Sequence, residues 1–159
     1  MSMQQKALPK TMYYILFVIY SLTMLWLLLG RQQYHRDMMD MLVNLRPLKT
    51  IRAYLYVLQN REEAYLLRIA GFNLFGNVIL FVPYGIFLPY LFRRMRALWK
   101  VMLAGAVTIV CVELLQIATL RGSCDVDDLI LNMMGILIGY IVFRIAHLRC
   151  PKNTGEPTN

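Results

Sequence analysis

The sequence predicts an all-α integral membrane protein with about four transmembrane helices and one amphipathic helix on the outer surface. Three observations carry that reading. The 159 residues are 58% hydrophobic and only 16% charged, with a mean hydropathy of +0.50. Four long stretches are almost free of charge, and the basic residues gather where those stretches end. One soluble domain of this length cannot bury so much apolar surface. A helix crossing the hydrocarbon layer needs about 20 mainly apolar residues.

The first span, about 11–30, carries no charge and is bracketed by Lys10 and Arg31. No small-x-small exit precedes Arg31, so it reads as a span and not as a cleaved signal peptide. The second, about 69–92, is uncharged up to Arg93 and Arg94 and contains Pro83 and Pro89. Each proline removes a backbone donor and crowds the preceding turn, which predicts a kink. The third, about 101–120, holds a single charge, Glu113. The fourth, about 128–148, is extended past Arg144, whose side chain can snorkel towards headgroups. Between the first two spans, segment 48–68 repeats Ile51, Leu55, Leu58 and Leu66 at near-helical spacing, with Tyr54, Tyr56 and Tyr65 among charges. That pattern suits an amphipathic helix at headgroup depth; a solvated loop is the alternative. Residues 1–150 read as one membrane domain, and 151–159 as a disordered tail with nothing to bury.

The net charge of +8 lies at segment ends, as Lys6 and Lys10, then Arg93, Arg94, Arg96 and Lys100, then Arg144, Arg149 and Lys152. This is the positive-inside pattern of a multi-pass cell-membrane protein, with membrane lipid and not nucleic acid as the partner. It puts both termini in the cytoplasm. The first loop is basic too, but it is long, and Asp37, Asp40, Glu62 and Glu63 dilute it. On that topology Cys111, Cys124 and Cys150 fall mid-membrane, outside and inside, so no pair can bridge. No HExxH, Gly-rich phosphate loop or CxxC pair is present, and no cofactor is implied. His35 and His147 fall on opposite sides and read as solvated surface histidines.

Combining topology with polar residues gives a layer. Asn73 and Asn77 lie one turn apart in the second span, and Glu113 and Gln116 three apart in the third. Asp127, Asp128 and Asn132 open the fourth. At 1.5 Å per residue, Glu113 and Asn77 sit roughly 10–12 Å below the outer boundary. An ionisable residue inside a membrane is a functional-site hypothesis by default, whereas amides alone often just tie helices together. Glu113 therefore carries the functional reading, with Arg121 or a proton as its counter-charge. Asp128, Asn132, Gly135 and Gly139 share one helix face, so the acids should point into the bundle, with Ile136 off that stripe. Asp125, Asp127 and Asp128 exceed the need for one helix cap and are candidates for a hard cation or a ligand's positive group.

The stretch 73–85 (NLFGNVILFVPYG) resembles the central signature of the VanZ-like family. So do ELLQ at 113–116 followed by Arg121, DVDDLILNMMG at 125–135, and the upstream NLRPLKTI at 44–51. The similarity runs from about Asn44 to Tyr140. It implies Asn73, Asn77, Pro83, Glu113, Gln116, Asp127, Asp128 and Asn132 as the motif residues, which coincide with the layer. The family is named for a protein giving low-level resistance to the glycopeptide teicoplanin. Many members occur without a resistance cluster, so the resemblance does not imply resistance for each of them.

Three functions compete. The first is a non-enzymatic envelope protein whose outward polar pocket binds a cell-wall precursor, lipid or glycopeptide. Its ligand set would be Asn73, Asn77, Glu113, Gln116, Arg121, Asp125, Asp127, Asp128 and Asn132. The second is a membrane-embedded enzyme on a lipid-linked envelope substrate, with Glu113 as general base. Against it, the sequence pairs no nucleophile with a base. The third is a small proton-coupled transporter using Glu113, which would need a homo-oligomer to enclose enough volume. The sequence favours the first.

Overall fold

The computed structural model describes residues 9–30, 43–61, 63–119 and 124–149. Helix α1 spans Lys10–Leu29, followed by the two-residue strand β1 at Val43–Asn44 and helix α2 at Lys49–Gln59. Helix α3 runs Ala64–Leu91, a 3-10 turn covers Arg93–Met95, and α4 runs Leu98–Thr119. Strand β2, Cys124–Asp125, leads directly into α5 at Val126–Arg149. The expectations for Arg121, His35, Cys150 and the tail 151–159 fall outside the described residues.

Four of these helices, α1, α3, α4 and α5, are long and apolar enough to cross a membrane. Their outer faces expose large apolar side chains, including Ile19, Leu22 and Trp26 on α1, Leu103 and Leu114 on α4, and Ile141 on α5. Faces this apolar are suited to lipid and not to water. Segment 48–68 is not one helix. Helix α2 ends at Gln59, and Arg61 takes a left-handed conformation (φ 48°) that breaks the helical ladder. Tyr65 and Leu66 consequently belong to α3.

Helix α3 continues through Pro83 and Pro89. One turn before Pro83 the hydroxyl of Tyr20 in α1 donates to the Leu80 carbonyl at 2.7 Å. A neighbouring helix thus supplies a donor where the proline perturbs the backbone. Deeper in the bundle Tyr84 and Thr108 share a hydrogen bond of 2.9 Å between α3 and α4.

The closest helix pair is α3 with α5, and glycine makes it so. A Cβ on Gly135 would overlap the carbonyl oxygen of Val78, and one on Gly139 that of Val82. In the other direction, a Cβ on Gly85 would overlap the carbonyl oxygen of Ile136. The two backbones are in direct contact, as small-xxx-small packing allows. Ile136 is not off the packed surface: it is completely buried, and its Cδ1 occupies the space that a Cβ on Gly105 would need. Helix α5 therefore packs on two sides, through glycines on α3 and through Ile136 on α4.

Candidate functional site at the acidic end of the bundle

The elements meet at one end through carboxylates. Strands β1 and β2 pair in parallel, Val43 with Cys124 and Asn44 with Asp125, and bring the start of α2 against the start of α5. Helix α2 opens without a capping side chain of its own, because Leu48 stands at its N-cap with φ 64°. The first amide groups of a helix need acceptors from elsewhere. Asp127 of α5 supplies them: its Oδ1 accepts from the Leu48 amide at 2.5 Å. Its Oδ2 accepts from the amides of Thr50 at 2.8 Å and Ile51 at 3.0 Å. Asp127 has no exposed surface. A negative charge at the positive end of a helix dipole adds to the hydrogen bonds.

Asp125 works beside it. Its Oδ1 accepts the Asp127 amide at 2.9 Å, which caps α5, and also the Asn44 side-chain amide at 3.1 Å. Its Oδ2 accepts the Thr50 hydroxyl at 2.6 Å. The Asp125 amide in turn donates to Oε2 of Glu113 at 3.1 Å. Asp128 takes a third direction and accepts from the Asn77 side chain at 2.6 Å. Asp125 and Asp127 thus converge on the start of α2, while Asp128 reaches α3. Among the described residues no group of three His, Cys, Asp or Glu is arranged to hold a metal ion.

Glu113, Gln116, Asn77, Asp128, Asn132 and Leu28 surround a small cavity, closed on its apolar side by Phe81, Ile109 and Val112. Its volume is about 10 Å³, which is room for about one water molecule. Asn132 Oδ1 is buried beside it with no hydrogen-bond partner among the described residues. Gln116 donates to the Leu28 carbonyl at 2.7 Å and satisfies one of the last carbonyls of α1. Asn73 stands apart: it donates to Ile69 in its own helix at 2.8 Å and does not line the cavity.

A second, larger space lies on the other side of Glu113. It is an apolar groove of about 130 Å³ walled by Leu45, Ile109, Val110, Leu114, Val126 and Leu129. Glu113, Cys124 and Asp125 also line it. The Cys124 thiol lies close enough to the Glu113 carboxylate to interact with it, so a nucleophile does stand next to a base, contrary to the reading from sequence. Burial pushes this thiol up to about 11, with the hydrogen bond to Glu113 adding to the shift. It is therefore held protonated at neutral pH.

The VanZ/LLP1 family model matches residues 17–147. The chain belongs to the VanZ/LLP1 family. Searches of curated proteins and of solved structures found no match. The matched region holds every element of the acidic end, from β1 through α5. Sequence reasoning named the aspartates of this member but missed what Asn44, Thr50 and Cys124 do with them. A signal was present, since a helix that starts at Leu48 with no Ser, Thr, Asp or Asn just before it leaves its first amides to water or to another element.

Proposed function

We propose that this VanZ/LLP1 protein binds a lipid-linked molecule of the bacterial cell envelope beside Glu113, without catalysing a reaction. Low-level glycopeptide (teicoplanin) resistance, where this member confers it, would follow from that binding. The observation that supports the reading is the apolar groove of about 130 Å³ whose lining includes Glu113, Cys124 and Asp125. A hydrocarbon chain matches the groove's walls, and the polar group it carries would lie where the buried acids begin. The water-sized cavity on the opposite side of Glu113 has no room for such a ligand. The ligand therefore enters from the lipid side, in the groove, and the polar layer sets its depth. Ionisable groups retained inside a membrane typically serve such sites.

The test is Glu113→Gln, which keeps shape and an acceptor for the Asp125 amide. Lipid extraction and mass spectrometry of the purified protein should show an envelope lipid with the native chain and its loss in the variant. Teicoplanin susceptibility of a sensitised host should return to that of the empty host, with expression and melting temperature unchanged. A normally folded Glu113→Gln protein that keeps both ligand and phenotype would sink the proposal.

The thiol of Cys124 against Glu113 favours a second reading, an enzyme with Cys124 as nucleophile and Glu113 as base. Its raised pKa weighs against that, because a thiol needs a neighbour that lowers its pKa to become a nucleophile. Cys124→Ser separates the two: it leaves ligand binding intact if the protein only binds and stops turnover if it catalyses.

A further inference from the structure

The opposite end of the bundle carries a second cavity, of about 360 Å³, lined by Lys10, Arg93, Arg96 and His147 with Tyr14 and Tyr90. These residues come from the start of α1, the end of α3 with the turn after it, and the end of α5. We infer that this cavity is a binding site for the phosphate-bearing headgroup of an anionic phospholipid.

Charge is the first argument. The acidic residues among those described are Glu63, Glu113, Asp125, Asp127 and Asp128, and none of them lines this cavity. All but Glu63 belong to the acidic end, and Glu63 precedes the first residue of α3, a full helix away from Arg93. The cations around the cavity therefore face a space that the described carboxylates do not neutralise. Like charges held together in this way attract an anion from outside.

Arg96 is the second argument. Its backbone is fixed, because Tyr140 of α5 donates to its carbonyl at 2.7 Å. Its Nε is nevertheless buried and has no hydrogen-bond partner among the described residues. A buried guanidinium N–H without an acceptor is costly, and the planar guanidinium fork matches phosphate oxygens in a bidentate manner. The exposed Arg93, Lys10 and His147 complete a cluster of donors around that position.

Depth and size choose the occupant. Every lining residue stands beyond a membrane-spanning helix or within about one turn of its end, where headgroups lie. Tyr14 and Tyr90 add aromatic walls of the kind enriched at the membrane interface, and Tyr14 is held there by a hydrogen bond to the Leu91 carbonyl at 3.3 Å. The volume falls in the range of about 300–1,000 Å³ that small organic ligands occupy, more than a bare ion needs. Basic pockets between membrane helices are suited to anionic lipid headgroups.

The test is native mass spectrometry of the full chain in detergent, titrated with phosphatidylglycerol or with phosphatidylcholine. Phosphatidylglycerol should be retained in preference to phosphatidylcholine. Arg93→Gln and Arg96→Gln should each weaken that retention about fivefold, and the pair about thirtyfold. Lys100→Gln removes a nearby charge that does not line the cavity and should change retention less than about twofold. If Arg96→Gln fails to fold, the exposed Arg93 carries the comparison with Lys100 alone. Equal loss from Arg93→Gln and Lys100→Gln would mean a diffuse surface charge and overturn the site, as would equal retention of phosphatidylcholine. Displacement of the lipid by millimolar inorganic phosphate or glycerol phosphate would also overturn it, in favour of a soluble phosphate ligand.

Discussion

At one end of the bundle Asp125 and Asp127 accept hydrogen bonds from the amides and side chains of Asn44, Leu48, Thr50 and Ile51. At the other end Lys10, Arg93, Arg96 and His147 ring a cavity, and Arg96 Nε has no partner among the described residues. Both ends concentrate one sign of charge, but among the described residues only the acidic end supplies its own complement, mostly as backbone N–H groups. Charge that the chain satisfies internally holds elements together; charge that it leaves over is available to something outside. The acidic end is thus mainly a latch, with Glu113 facing the groove beside it, and the basic end is a receptor for an anion.

The largest expected effect lies between the two ends, in the contact that fixes their separation. Gly139→Leu should destabilise the protein by about 3 kcal/mol or more, since even a Cβ overlaps the Val82 carbonyl and the helices must part. Gly85→Leu should act similarly from the α3 side. Thermal melting in detergent measures both. Ile136→Ala should cost about 2–5 kcal/mol through the cavity left against Gly105. Tolerance of Leu at Gly139 would mean that the α3 and α5 backbones are not in contact.

Asp127→Ala comes next and tests the latch directly. It leaves the amides of Leu48, Thr50 and Ile51 without acceptors and should cost about 2–4 kcal/mol. The loss should be local: protease access at the start of α2 should rise before the spans melt. Asp127→Asn keeps one acceptor oxygen and should cost less. An Asp127→Ala protein as resistant as the native one would remove the distinction between a self-satisfied end and an unsatisfied one.

Much of this arrangement is legible in the sequence, and the exceptions have physical causes. The spans stand out because buried helices of soluble proteins rarely run so long without a charge. Helical rise puts Asn77, Glu113, Gln116, Asp128 and Asn132 at one level, but does not show that Asn73 bonds within its own helix instead. Helix ends are less legible. Helix α3 begins at Ala64, ahead of Arg68, because backbone hydrogen bonding continues where apolar composition stops. The burial of Ile136 is hidden for a related reason: a stripe through Gly135 and Gly139 defines one packed face, and nothing local reveals a second against Gly105. An aspartate at the start of α5 reads as that helix's own cap, which Asp125 is. That Asp127 caps α2 instead depends on contacts 76 to 79 residues away in the chain, beyond what spacing can show.

The smallest effect is chemical and probes the groove's lining through Cys124. Its thiol is raised from its ordinary value of 9.0 to about 11, first by burial and then by the hydrogen bond to Glu113. A folded-state value above the unfolded one means that folding favours the neutral thiol. The associated stability is fully present below the unfolded value of about 9 and is lost as pH rises through about 11. The same shift lowers the thiolate fraction near pH 8, so iodoacetamide should alkylate Cys124 in the folded protein about a hundredfold more slowly than in the unfolded chain. The rate should climb until about pH 11. Glu113→Gln removes the acidic neighbour and should move that climb part of the way back, because burial remains. A folded protein whose Cys124 follows an ordinary thiol curve would show that solvent reaches the groove's lining. Glu113 would then be hydrated from that side, and the contrast between a closed acidic end and an open basic one would fail at the point nearest the proposed ligand.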